Sequence, residues 1–177
     1  RRFQLVLIKP SHYDDDGYVI RWWRAMTPSN SLAAVYGIAA DCAERRVLGA
    51  DIDIDIQVID ETNTRVDVPT LLSGFRRHGD FGCVALVGVQ SNQYPRALDI
   101  ARPFRSVGIA VAIGGFHVSG CLSMMDGHAV DLDACREMGV IIFAGEAEGR
   151  LELVIAGVAS GRAVPEYNYM KDLPGMD

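Results

Sequence analysis

Five short runs rich in apolar residues, each about the length of one strand, recur along the chain and are separated by stretches with helical periodicity. They are Phe3-Gln4-Leu5-Val6-Leu7-Ile8, Ile52-Asp53-Ile54-Asp55-Ile56-Gln57-Val58-Ile59, Cys83-Val84-Ala85-Leu86-Val87-Gly88-Val89, Ile109-Ala110-Val111-Ala112-Ile113 and Val140-Ile141-Ile142-Phe143. Strands joined through helices pair in parallel by right-handed crossovers, and the helices then cover both faces of the sheet. The pattern predicts an α/β fold, a doubly wound five-stranded parallel sheet in the flavodoxin-like order 2-1-3-4-5. The third run is apolar throughout and belongs in the middle of the sheet. The second alternates Ile with Asp and belongs toward an edge.

Helices are expected between these strands. One opens near Leu32, capped by Ser29 or Asn30, and others run over about 68–77, 94–104 and 148–159. A long loop and a short helix separate the fourth strand from the fifth. A chain of 177 residues suits one core. The domain is expected over residues 1–165. Residues 166–177, with Leu173-Pro174-Gly175 near their end, read as a linker toward a further domain.

Composition removes several function classes. The net charge of -6 argues against a nucleic-acid partner, whose phosphates call for clustered Lys and Arg. Arg45-Arg46 and Arg76-Arg77 are isolated pairs suited to solvated helix faces. No run approaches the roughly 18 apolar residues of a membrane helix, and no signal-peptide pattern opens the chain, so the expectation is a cytoplasmic protein with no membrane partner. Cys42, Cys83, Cys121 and Cys135 are too far apart for a C-x-x-C motif and are expected to be reduced structural thiols.

In an open parallel sheet, ligands bind beyond the carboxyl ends of the strands, where loops diverge and helix N-termini point outward. The informative segments are therefore residues 11–30, which open with Ser11 and His12, then Ser91-Asn92-Gln93-Tyr94, Gly114-Gly115-Phe116-His117 and Gly145-Glu146-Ala147-Glu148. All four should meet at one rim. Gly114-Gly115 suits either a tight turn or a backbone that a bulky ligand approaches closely. Ser91, Asn92 and Gln93 offer uncharged hydrogen-bonding groups to a polar ligand, and Ser91 or Asn92 equally suits a helix cap. His117 beside the double glycine is a candidate ligand contact, His12 and His128 weaker ones. Trp22 and Trp23 must pack on a flat ligand or on a neighbouring domain.

Familiar catalytic patterns are missing. Asp14-Asp15-Asp16 suggests the acidic pocket of a receiver domain, yet Glu146 stands where that chemistry needs Lys after the last strand, so a solvated acidic loop is the better account. Lys9-Pro10-Ser11-His12 is no dinucleotide fingerprint, and there is no phosphate-binding Gly-Lys-Ser/Thr loop and no Gly-x-Ser-x-Gly elbow.

The combination resembles the N-terminal cobalamin-binding domains of radical S-adenosylmethionine proteins. The matching residues are Pro28 with Leu32-Ala33-Ala34, Val58-Ile59-Asp60, Gln93-Tyr94-Pro95-Arg96-Ala97-Leu98-Asp99-Ile100-Ala101, Ile113-Gly114-Gly115-Phe116-His117 and Gly145-Glu146-Ala147-Glu148. They cover nearly the whole chain in the family's order, and the most specific are the double glycine after strand four and Gly-Glu-x-Glu after strand five.

The resemblance implies cobalamin lying across the strand ends, held by Ser11, His12, residues 91–94, 114–117 and 145–148, with its nucleotide tail descending beside the double glycine. It also implies a C-terminal catalytic domain as partner, carrying S-adenosylmethionine, an iron-sulfur cluster and the small-molecule substrate, for methyl transfer or rearrangement. No C-x-x-x-C-x-x-C triplet occurs in this chain, so it holds no catalytic residues of that chemistry. Some departures stand out. Asp-x-His-x-x-Gly, which supplies a lower axial His in other cobalamin domains, is missing at His12, so no protein His is expected on cobalt. Phe116 replaces the family's Pro, and the first loop is long. Two other classes fit the fold: a flavodoxin-like module for another cofactor such as a flavin, and a cofactor-free interaction domain.

Overall fold

A computed structural model describes residues 1–22, 29–124 and 130–172. Within them six strands form one parallel sheet in the order β2-β1-β3-β4-β5-β6. The strands are β1 (Arg2–Lys9), β2 (Asp53–Asp60), β3 (Gly82–Leu86), β4 (Ala110–Gly114), β5 (Ile141–Ala144) and β6 (Glu166–Asn168). The helices are α1 (Asn30–Glu44), α2 (Val68–Arg77), α3 (Tyr94–Ser106), α4 (Phe116–Met124), α5 (Asp133–Met138) and α6 (Leu151–Ala159). Every residue of β3 is buried, as its apolar run requires, and β2 lies at the edge with its aspartates Asp53 and Asp55 in solvent.

The expected order holds for the first five strands, but the count is corrected to six. Residues 166–168, assigned to a linker, pair with β5 through Glu166, Tyr167 and Asn168. Three residues with a single inward side chain, Tyr167, carry no apolar run to announce a strand. Only the neighbouring β5 backbone, whose hydrogen bonds need partners, makes one of them.

Side chains on successive strand residues leave opposite faces. On β3, Val84 and Leu86 join a core with α2, α3, α4 and α5, while Cys83 and Ala85 turn toward α1 and α6. β4 repeats the division, with Val111 and Ile113 on the first side and Ala112 on the second. The first core is filled by Phe75, Phe104 and Ile100, the two phenyl rings meeting edge-on with centroids 6.1 Å apart. Above the two central strands the second face has Cys83, Ala85 and Ala112 in place of large side chains, and Leu5, Val154 and Ile155 around them.

Helix starts follow local chemistry. Ser29 caps α1 by accepting from Leu32 N at 3.2 Å, and Asp67 caps α2 by accepting from Thr70 N at 3.2 Å. The expected cap of α3 by Ser91 or Asn92 is corrected: the cap position is Gln93, and its side chain accepts instead from Gln90 N at 3.0 Å. The last helix starts at Leu151, three residues later than the expected 148.

Candidate functional site

The small floor residues leave a cleft of about 500 Å³ between α1 and α6 that opens at the carboxyl ends of the strands. Its floor is Leu5, Cys83, Ala85 and Ala112, its helical walls are Val35 and Ile38 on one side and Leu151, Val154 and Ile155 on the other. Around the mouth stand Asn30 and Ser31 of α1, Gly88 after β3, Gly114, Gly115 and Ser119 after β4, and Gly145, Glu146, Ala147 and Glu148 after β5. Burial pushes the Cys83 thiol up to about 12, so the floor stays uncharged. Thus a mostly apolar cleft with polar groups at its entrance sits where an open α/β sheet places its ligands.

Six of the site residues expected from sequence line this mouth: Gly114, Gly115, Gly145, Glu146, Ala147 and Glu148. The double glycine has a local cause as well. A Cβ on Gly115 (φ +141°) would lie 2.2 Å from Val89 N, so the missing side chain lets the turn after β4 press on the backbone after β3. Val89 N in turn donates to Gly114 O at 3.1 Å, and His117 N donates to Val89 O at 3.0 Å.

A second group gathers beside the cleft. Gln90, Ser91, Asn92 and Phe116 surround a shallow ledge, with Ser91 and Asn92 exposed and the Phe116 ring 78% exposed at the start of α4. Behind the ledge His117 Nδ1 lies 3.1 Å from Ser91 Oγ, and its Nε2 faces Cys121 Sγ at 3.7 Å. The imidazole stacks on Tyr94, with centroids 4.2 Å apart. Tyr94 is itself a buried packing residue, its hydroxyl donating to Asp131 O at 2.7 Å and touching Cys135 Sγ at 3.3 Å. Burial lowers the His117 pKa against the pull of Asp131, so the ring is held neutral. Gln93 is 7% exposed and spent on backbone and on Lys9, so it offers little to a ligand.

Ser11 and His12 do not join the cleft. Ser11 is buried; its hydroxyl donates to Ile20 O and its amide to Glu61 Oε2 at 3.1 Å. Glu61 is held by Arg96 through three contacts, the shortest 2.6 Å, so this corner ties the first loop to α3. His12 O accepts from Ile20 N at 2.9 Å within the same loop. Asp14 Oδ1 accepts from Asp16 N and Tyr18 N, which makes the acidic triplet a turn in solvent, and among the described residues no group of His, Cys, Asp and Glu could hold a metal. Trp22 is 65% exposed, while Pro28, Trp23, His128 and residues 173–177 lie outside the described residues.

Sequence reasoning passed over Lys9 and Gly88. At the switch point between β1 and β3, Lys9 Nζ donates to Gly88 O at 3.1 Å and to Gln93 Oε1 at 3.3 Å. Burial holds its pKa below the ordinary lysine range, against the carboxylate of Asp60. Gly88 (φ +62°) has no room for a Cβ because Ser31 Cβ would be 2.8 Å away, so this glycine sets how closely the start of α1 approaches the sheet. The open cleft itself had a signal: Cys-Val-Ala-Leu and Ala-Val-Ala-Ile alternate small with large, and the small side chains share one face.

Among the described residues no helix is long and apolar enough to cross a membrane. Comparison of the chain with protein-family models, with curated proteins and with solved structures returned no match.

Proposed function

We propose that this chain is a corrinoid-binding module that holds cobalamin for a radical S-adenosylmethionine enzyme. The supporting observation is the deep apolar cleft between α1 and α6, whose mouth is formed by the glycine turns 114–115 and 145–148. A corrinoid has two unlike parts, a broad macrocycle edged with amides and a slender nucleotide tail ending in an aromatic base. The cleft fits the tail, and the neutral ledge of Ser91 and Asn92 beside Phe116 fits the amide edge.

Bound cobalamin would supply a cobalt centre able to carry an alkyl group. This chain's residues would hold it, exclude water from the buried tail and orient the exposed face toward the domain that generates the radical. That domain, with its iron-sulfur cluster and S-adenosylmethionine, is assigned outside these 177 residues because they contain no C-x-x-x-C-x-x-C triplet. His117 is not proposed as a cobalt ligand, since its two ring nitrogens face Ser91 and Cys121. A flavin fits less well: the start of the first loop offers a phosphate only one Ser or Thr hydroxyl, Ser11, and that hydroxyl is spent on Ile20 O.

The test is retention. The purified chain is mixed with cobalamin, passed through a desalting column and scanned in the visible. Co-eluting corrinoid near one per chain with a shifted spectrum is expected, and complete separation of the two at micromolar protein would refute the proposal.

A further inference from the structure

We infer that the cleft selects the base at the end of the corrinoid tail, favouring a methylated, amine-free benzimidazole over adenine. The inference rests on the corrinoid reading above and concerns what its deepest part recognises.

The floor and inner walls present alkyl groups: Leu5, Ala85 and Ala112 below, Val35, Ile38 and Val154 beside them. Cys83 Sγ, the one polar side-chain atom on the floor, lies 3.5 Å from Val84 O, to which its thiol proton is directed. The strand backbone beneath is committed to the ladder, with β3 paired to both β1 and β4. The polar side chains of the lining, Asn30, Ser31, Ser119, Glu146 and Glu148, all belong to segments that leave the strand ends, so they meet the ribose and phosphate end of a tail and not its base.

Adenine carries an exocyclic amine and extra ring nitrogens that give up water on entering such a slot and find no replacement partner there. Each such loss costs about tenfold in affinity. A benzimidazole lacks the amine, and each methyl on its ring buries apolar surface worth about fourfold. The two effects act in the same direction, so the slot's preference is about ten- to a hundredfold for the methylated benzimidazole form.

Dissociation constants are measured by the visible spectral shift for three ligands: cobalamin, the corrinoid with adenine as lower base, and cobinamide, which has no nucleotide tail. Cobalamin should bind about ten- to a hundredfold more tightly than the adenine form, with cobinamide weakest. Equal or tighter binding of the adenine form overturns the base selection while leaving the corrinoid reading intact. Failure of all three to bind overturns both. Two variants localise the effect, each checked for an unchanged melting curve. Ala112→Ser puts a hydroxyl on the floor and should narrow the ratio between cobalamin and the adenine form. Ala85→Leu should weaken cobalamin toward cobinamide and leave cobinamide itself unchanged. A ratio untouched by Ala112→Ser in a folded variant places the selectivity elsewhere and refutes the assignment.

Discussion

The two faces of the sheet are built from the same strands and behave as opposites. Toward α2, α3, α4 and α5 the central strands present Val84, Leu86, Val111 and Ile113, which meet Phe75, Phe104 and Ile100 in a filled core. Toward α1 and α6 they present Cys83, Ala85 and Ala112, and the missing volume appears as the cleft. Protein interiors are close-packed, so an apolar face left short of volume is an expense in stability unless something fills it. One face is filled and holds the fold together, and the other is left with an open cleft.

The largest expected effect lies on the filled face. Phe104→Ala, at a fully buried ring, should cost about 3–5 kcal/mol in urea denaturation, because the neighbours cannot collapse into the gap. A cost below about 1 kcal/mol would mean the filled face is as loose as the other. Next comes the corner of that face that anchors the first loop. Arg96→Met leaves Glu61, whose side chain is 2% exposed, without its charge partner, and should cost about 3 kcal/mol. The first loop should then become sensitive to proteolysis at native pH.

On the cleft face the expected change is small. Ala112→Leu adds volume where there is space, so its effect on the melting curve should stay within about 1 kcal/mol, in contrast to the one to three typical of overpacking a filled core. A large loss would show that α1 and α6 already close over the floor.

The smallest effect is a pH dependence at the ledge. Burial keeps the His117 pKa below the ordinary 6.5, so between that lowered value and 6.5 the unfolded chain binds the proton and the native chain does not. Stability from this residue is therefore flat above 6.5 and declines as pH falls through the window beneath it. In His117→Gln the decline measured by thermal melts from pH 7.5 to 5.5 should be shallower than in the parent chain. An unchanged slope would show that the imidazole is not held neutral.

Much of this could be read along the chain. The continuous run around Val84 and Leu86 announced a central strand, and the Ile-Asp alternation of residues 52–59 announced an edge, because burial on one or two faces leaves a period-two record. The turns at 114–115 and 145–148 were legible as a rim because strand ends are where an open sheet places its loops. Ser11 misled because a hydroxyl after the first strand looks the same in sequence whether it faces a ligand or, as here, Ile20 O. β6 was illegible because Glu166–Asn168 becomes a strand only through the backbone of β5.

The order of the first five strands, their parallel pairing and the end of the sheet where the rim turns gather were determined by the sequence itself, since they follow from local periodicity and connection rules. Which face stays open was decided by tertiary structure. A void is a distance between α1 and α6 over Cys83, Ala85 and Ala112; the two helices are far apart in the chain, and that distance depends on how both seat on the strands beside them. Gly115 shows the same division. Its identity was visible at once, but that the freed space is used by Val89 could emerge only when the turns after β3 and β4 met.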